Sequence, residues 1–389
     1  METNTNLIYL ACFNAVKKRD FKGYDPYDLL NSRFGFLQKL PPRVLFYLSQ
    51  INKRSFVNLR PVLGVRPSLI PKGKSLILQS LIHQKDLFEN VGEYLKLILD
   101  SIMQDQFKDY SGACWGLPFA YANRKGLRPK NVGDVVATAF VHQGLWEYYN
   151  YNKQEHIKNT MLSCSDFVLN DLGMRETPVG MSLNYETQNP SNVLNSIGFA
   201  SDILVRNFKI TQNPQELETT EKLLDYIVHF QDDNGLFPYS IINNTKRYQT
   251  DFHQLYVISS LLNFQQATNT NKYQKIIDKG LQFYLKYQLS SKGRVLWRYP
   301  AKYPVDIHNQ ASALYYLSRF AFNLDFETAI IDKVFSYTIE NFYYAHKSYF
   351  YYQKYPYLTN KVNYIRWGQA WMMIALSQYS VFKAHFNEL

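Results

Sequence analysis

Polar and apolar positions in this chain alternate by whole element. Five times, a short aromatic-rich segment leads into a polar cap and then into a long helix that is apolar nearly all round. The segments read CWGLPFAY, MSLNYET, GLFPYS, VLWRYP and SYFYYQ. The helices after them open at Asp134, Asn192, Asp251, Asp306 and near Arg366, so successive openings lie 58, 59, 55 and 60 residues apart. A period this regular marks a repeat architecture.

In DFHQLYVISSLLNF, the residues Phe252, Leu255, Val257, Ile258, Leu261 and Leu262 leave no broad polar face. A helix of that kind is buried on most sides. The helices between are one-sided: Leu223, Ile227 and Phe230 form a single stripe in one, and Ile277, Leu281, Tyr284 and Leu285 in another. Alternating buried and one-sided helices predict an all-α fold, an (α/α) toroid of five to six helical hairpins with inner and outer rings. Hairpins are expected over about 87–149, 155–207, 216–266, 273–322 and 327–382. Residues 1–85 are expected to form an N-terminal helical extension, broken by Pro41, Pro42, Pro61, Pro67 and Pro71, which supplies a sixth, less regular element. The toroid domain is expected over 86–389.

Inner-to-outer links are short, whereas outer-to-inner links are long and carry the aromatic motifs. In an up-down ring all links of one kind fall at one end. The five motifs and the inner-helix N-termini should therefore surround one mouth, with a pocket of about 300–1,000 Å³. The opposite end should be plain.

Composition narrows the setting. The first twenty residues place no basic residue before their short apolar stretch, unlike a secretory signal. No run approaches the ~20 apolar residues of a membrane span. A cytoplasmic protein is expected. Cys12, Cys114 and Cys164 are scattered, which gives neither a disulfide framework nor a zinc site, and no metal or cofactor is expected. The net charge of +11 comes without a nucleic-acid motif or an evident cluster. It fits a protein near an anionic polymer, or peripheral at the inner membrane surface, with no nucleic-acid partner. Aromatic residues make up 16% of the chain, 32 of them Tyr, a residue suited to wet concave surfaces.

TDFHQ and VDIHNQ repeat one pattern: Asp251 with His253, and Asp306 with His308. Two carboxylates of separated acidity suit glycosidic hydrolysis. An imidazole beside a carboxylate suits proton abstraction next to a uronate carboxyl, as in elimination or epimerisation. Each Asp is equally a good helix cap. Arg366 is the candidate clamp for a substrate anion. Trp115, Tyr239, Trp297, Tyr299 and Trp367 are candidate sugar platforms, Tyr364 a candidate proton donor, and Arg124, Asp134 and Arg298 further binding groups. The inner-helix N-termini favour an anion, so an acidic sugar is the consistent substrate.

QDDNGLF and QLSSKGRVLW partly resemble the Q-x3-G-x-W repeats of terpenoid cyclases, but the aspartate pair sits at an outer-helix end. Taken together, WGLPFAY, VVATAFV, GLFPYS, TDFHQLYVI, YPVDIHNQA and YIRWGQAWM resemble a bacterial family of six-hairpin glycosidase-like toroids encoded in exopolysaccharide and capsule loci. The resemblance spans about 110–380. It implies a role in making or modifying an acidic surface polysaccharide and carries no settled mechanism. With the residues above, the leading expectation is an enzyme acting on such a polysaccharide or its lipid-linked repeat unit by hydrolysis, elimination or uronyl epimerisation. A non-catalytic polysaccharide-binding scaffold and an isoprenoid-type cyclase are the alternatives.

Overall fold

The computed structural model of the chain describes residues 5–387 apart from 124–125 and 189–190. Its helices are α1 (Thr5–Lys17), the short α2 (Gly35–Gln38), α3 (Pro42–Arg54), α4 (Pro71–His83), α5 (Val91–Gln104), α6 (Val135–Tyr151), α7 (Glu155–Asp166), α8 (Leu194–Thr211), α9 (Pro214–His229), α10 (His253–Thr268), α11 (Gln274–Phe283), α12 (Ile307–Phe320), α13 (Ala329–Phe342) and α14 (Trp371–Asn387). The long links carry short antiparallel pairs. These are β1 (Tyr121–Asn123) with β2 (Gly126–Arg128), β3 (Arg175–Thr177) with β4 (Gly180–Ser182), and β5 (Ser240–Ile242) with β6 (Thr245–Arg247). Further along, β7 (Val305–Asp306) joins β10 (Gln353–Lys354) and β11 (Thr359–Asn360) in one sheet, and β8 (Tyr343–Tyr344) pairs with β9 (Tyr349–Phe350).

The inner ring closes through α4, α6, α8, α10, α12 and α14, each packed on the next and α14 back on α4. Outside it, α5, α7, α9, α11 and α13 each pack on the inner helix that precedes them, and α1 packs on α14. The fold is thus a six-hairpin α/α toroid. Burial follows the sequence pattern: α12 is buried along nearly its whole length, whereas α11 buries only Ile277, Gly280, Leu281 and Phe283.

The expected boundary at residue 85 falls inside the ring, because α4 is an inner helix and α1 an outer one. Pro71 is the reason a proline-rich stretch still yields a buried helix. At the first turn its missing N–H costs nothing. Residues 18–70 are therefore the first outer-to-inner link, and they belong at the mouth with the other five.

The inner helices point the same way. Lys72, Phe140, Phe199, Tyr256, His308 and Trp371 come from the opening turns of six different helices, yet they touch across the ring. The short links led to the expectation of a plain far half, and it is not plain. Glu147 meets His83 at 3.1 Å, Gln143 donates to the Tyr315 hydroxyl at 3.1 Å, and Asn263 donates to Asp202 at 2.8 Å. Loop length does not report what inner helices direct into a ring, so this buried polar network left no mark on the links.

Candidate active site

Buried glutamines fix the loops that form the mouth. Near the opening of three inner helices, Gln254, Gln310 and Gln369 accept from the backbone N–H of Phe237, Val295 and Phe350 at 3.0, 2.6 and 3.1 Å. The same side chains donate to Gly235, Gly293 and Phe350 carbonyls at 2.8, 3.2 and 3.1 Å. Gly235 and Gly293 have φ of +94° and +80°, and a Cβ on either would lie 2.1 Å from an outer-helix carbonyl. The Q-x3-G-like strings are thus loop clamps. Gln288, at the head of one string, donates to the Asp251 carbonyl at 2.9 Å and so holds the site itself.

At the opening of α10, Asp251 accepts from the His253 backbone at 3.2 Å and from Gln249 at 2.9 Å, and its carboxylate also meets His253 Nδ1. That contact fixes the ring's orientation and makes Nδ1 the protonated nitrogen. Nε2 has no hydrogen-bond partner among the described residues. The ring packs edge-on to Tyr239 at 4.9 Å. Arg298 stands 3.8 Å from Asp251, its side chain half in solvent.

The next helix repeats the motif with a different environment. Asp306 caps α12 by accepting from the His308 backbone at 2.8 Å, and Gln353 donates to its other oxygen at 2.7 Å. Burial pushes the Asp306 carboxyl up to about 6, against the pull of Gln353 and the capped N–H. His308 is buried, with Nε2 at 3.3 Å from the Tyr256 hydroxyl. Burial first, then the nearby Lys72, Arg366, His253 and Lys53, push its imidazole well below the usual range, so it is neutral at pH 7. Phe252 lies between the two motifs, 4.3 Å from the His253 ring and 4.1 Å from that of His308. Asp251 and Asp306 therefore stand at the same end of the ring.

The floor is aromatic and carries an amine. Lys72 Nζ lies 3.7 Å from the Phe140 ring centre, 5.3 Å from Trp371 and 5.6 Å from Tyr256. Burial pushes this amine well down, and Arg366 adds to the effect, while Asp134 and Asp25 oppose it.

The 18–70 link supplies one wall. Asp25 accepts from Arg366 at 2.6 and 2.9 Å, a buried bidentate pair. Tyr27 packs edge-on to Trp367 at 5.7 Å, and Lys53 Nζ lies 4.5 Å from the same indole and 4.6 Å from Tyr27.

Several expected roles change on this geometry. Trp115 is no platform: it lies in the core, its indole N–H donating to the Ile102 carbonyl at 2.9 Å. Arg366 is no free clamp, because Asp25 takes its Nε and one Nη in a bidentate pair. Tyr364 is buried with its hydroxyl on the Lys53 carbonyl. Asp134 caps α6 and pairs with Arg128, which also meets Glu186, so it belongs to the wall. Arg124 lies outside the described residues. Trp367, Trp297 and Tyr239 are half-buried, while Arg298 and Tyr299 are on the rim. A cavity of about 280 Å³ sits apart from the histidines, between Pro71, Asp105, Phe107 and Pro118. Sequence reasoning missed Asp25, Tyr27, Lys53 and Lys72. Their signal was the Pro-Lys helix start at 71–72 and the length rule for links, extended one repeat earlier.

No family model matches the chain, and no curated protein matches it. Solved structures of the same architecture do. An α-mannanase from Bacteroides thetaiotaomicron aligns with TM-score 0.66 at 14% identity, over 93% of this chain and all of its own. Cellobiose 2-epimerase from Bacillus thermoamylovorans aligns at 0.61 and 11% identity, covering 80% of this chain and 89% of that one. A D-mannose isomerase aligns at 0.58 and 14%, covering 80% and 87%. At these identities the likeness is one of fold.

Proposed function

We propose that this protein is a carbohydrate-active enzyme that moves a proton at a sugar carbon next to a carbonyl or carboxylate, an epimerase- or isomerase-type reaction. The observation that carries the reading is the His253–Asp251 pair. Its carboxylate orients the imidazole, and the second ring nitrogen has no hydrogen-bond partner among the described residues. Such a nitrogen can act as a general base. The proton taken up by His253 is the one available for return, because His308, one repeat away, is held neutral and has none to give. Lys72, with its lowered amine pKa, can share a proton with the oxygen on which charge develops. Tyr239 and Trp367 offer aromatic faces for the sugar, and Lys53 and Arg298 favour an acidic one. With the exopolysaccharide-family resemblance, this points to a surface polysaccharide or its lipid-linked precursor as substrate. Epimerase and isomerase neighbours on the same toroid support the reaction class.

Hydrolysis is the second reading, favoured by the Asp306 carboxyl at about 6, an acidity suited to a general acid. Against it, both Asp306 oxygens are already bound and buried. The cyclase reading needed an aspartate on the aromatic floor, where Lys72 lies instead.

The test is exchange in D₂O. Reducing oligosaccharides and uronate-containing polysaccharides are incubated with the protein, and deuterium at the carbon beside the carbonyl or carboxylate is followed by NMR. Exchange is expected, reduced about 10²–10⁴-fold in His253→Gln. Release of new reducing ends without deuterium would favour hydrolysis and overturn the proposal.

A further inference from the structure

The 18–70 link also has an exposed face, and it is unusually apolar. In α3 the positions Val44, Tyr47, Leu48 and Ile51 fall at the i, i+3, i+4, i+7 spacing of one helical stripe. That stripe normally points inward. Here Val44, Tyr47 and Ile51 are exposed and Leu48 is half-buried, while the buried side of α3 holds Leu45, Ser49 and Asn52. The helix is inside out.

The exposed apolar surface continues beyond the helix. Phe36, Phe56, Val57 and Val62 are exposed on the same link, Val62 at 80%. A loop from the last repeat joins them. Asn360 donates to the Ser55 carbonyl at 3.0 Å, and Tyr355 packs on Phe56 at 5.3 Å. This places Tyr357, 97% exposed, and Leu358 beside the link. A cluster of this extent, with aromatic tips among aliphatic groups, marks an interaction surface.

Its charge is one-signed. Between Asp28 and Asp86 the chain has no Asp or Glu and ten Lys or Arg. Of these, Arg33, Lys39, Arg43, Arg54 and Arg66 are exposed. The basic residues that seemed spread out along the sequence are thus concentrated, in this stretch, by the absence of acids. No helix among the described residues is long and apolar enough to cross a membrane.

We infer that this face docks the toroid onto an anionic lipid membrane, with the α3 stripe in the headgroup region and the arginines and lysines around it. The combination is that of an interfacial amphipathic helix: an apolar stripe with a tyrosine, and cations at its borders to meet anionic headgroups. A second copy of this chain fits less well. A two-fold contact would set each face's own arginines against their copies, with no carboxylate on this stretch to relieve them. A nucleic acid or other anionic polymer would use the charges but leave the stripe in water. The inference does not depend on the reaction proposed above. It concerns a surface remote from Asp251 and His253 in chemistry, and either reading can fail alone.

The experiment is co-sedimentation of the whole protein with vesicles of phosphatidylcholine, with and without phosphatidylglycerol, at low and high salt. Binding is expected only to the phosphatidylglycerol vesicles, and weaker in high salt. Replacing Arg43 or Arg54 by Gln should weaken it about fivefold each, the effect of roughly one charge near an anionic surface. Tyr47→Ser with Ile51→Ser should weaken it about tenfold or more. Thermal melts of all variants should match the parent, since the altered side chains are exposed. Four results would overturn the inference: no vesicle binding, binding indifferent to the Ser pair, capture by an anionic polymer but not by vesicles, or a dimer in light scattering that the Ser pair dissociates.

Discussion

At the scale of single residues, the site separates groups that orient from groups that are free to react. Asp251 orients. An Asn in its place keeps an oxygen for the His253 backbone N–H, so the helix opening should survive, with stability within about 1 kcal/mol. What is lost is the carboxylate that selects the Nδ1-protonated ring. Turnover of Asp251→Asn should fall about 10²–10⁴-fold with an unchanged melting profile. Full activity in that variant would make Asp251 a cap and nothing more. Asp25 presents the opposite case. It compensates Arg366 in a buried site, so Asp25→Asn strands a cation and should cost about 3–5 kcal/mol in chemical denaturation. Changing both partners to apolar residues should recover part of that loss, as a double-mutant cycle would show. A free anion clamp at Arg366 would predict a substrate-affinity effect and no stability effect.

At the scale of elements, α6 and α12 are capped by carboxylates, Asp134 and Asp306. The Asp306 carboxyl is raised from an ordinary 3.8 to about 6, chiefly by burial. The folded state then holds a proton that the unfolded chain has released between about pH 4 and 6. Stability from this group therefore falls as pH rises through that window, by about 3 kcal/mol in all. Asp306→Asn still caps but does not titrate. Relative to the parent it should gain stability above pH 6 and lose that advantage below pH 4, in denaturant midpoints measured at both ends. A constant difference across the range would mean that the carboxyl is not raised. The elements themselves were legible because burial and periodicity are one signal: an inner helix such as α10 must lack a broad polar face, and DFHQLYVISSLLNF has none. The repeated Asp-x-His was legible because its spacing equals the repeat. Lys72 was not legible from the repeat, since a lysine at one helix opening carries no period and only the Pro-Lys start marks it. Neither was the Arg366 partner, because a contact between Asp25 and Arg366 spans most of the chain and no local pattern encodes it.

At the scale of the molecule, a ring has no free edge, and each helix face is covered only while the neighbour is present. The earliest described helix, α1, covers α14 from outside. It buries Ile8, Tyr9, Cys12, Phe13 and Val16, and the Tyr9 hydroxyl meets Ser80 of α4 at 3.1 Å. Burial of such side chains contributes about 1.5–3 kcal/mol each, so five of them amount to roughly 7–15 kcal/mol before the entropy of ordering is set against it. That gross figure is as large as the whole net stability of an ordinary domain, about 5–15 kcal/mol. A chain lacking residues 1–19 should therefore fail to give a cooperative thermal transition, and should bind hydrophobic dyes where α14 is uncovered. An appended extension behaves otherwise: its removal would leave the melt of the remaining toroid sharp and near the parent temperature. Calorimetry of the two chains side by side distinguishes the cases. A sharp parent-like transition in the shortened chain would mean that the five-hairpin remainder closes without α1, and that the sixth hairpin is ornament to the ring.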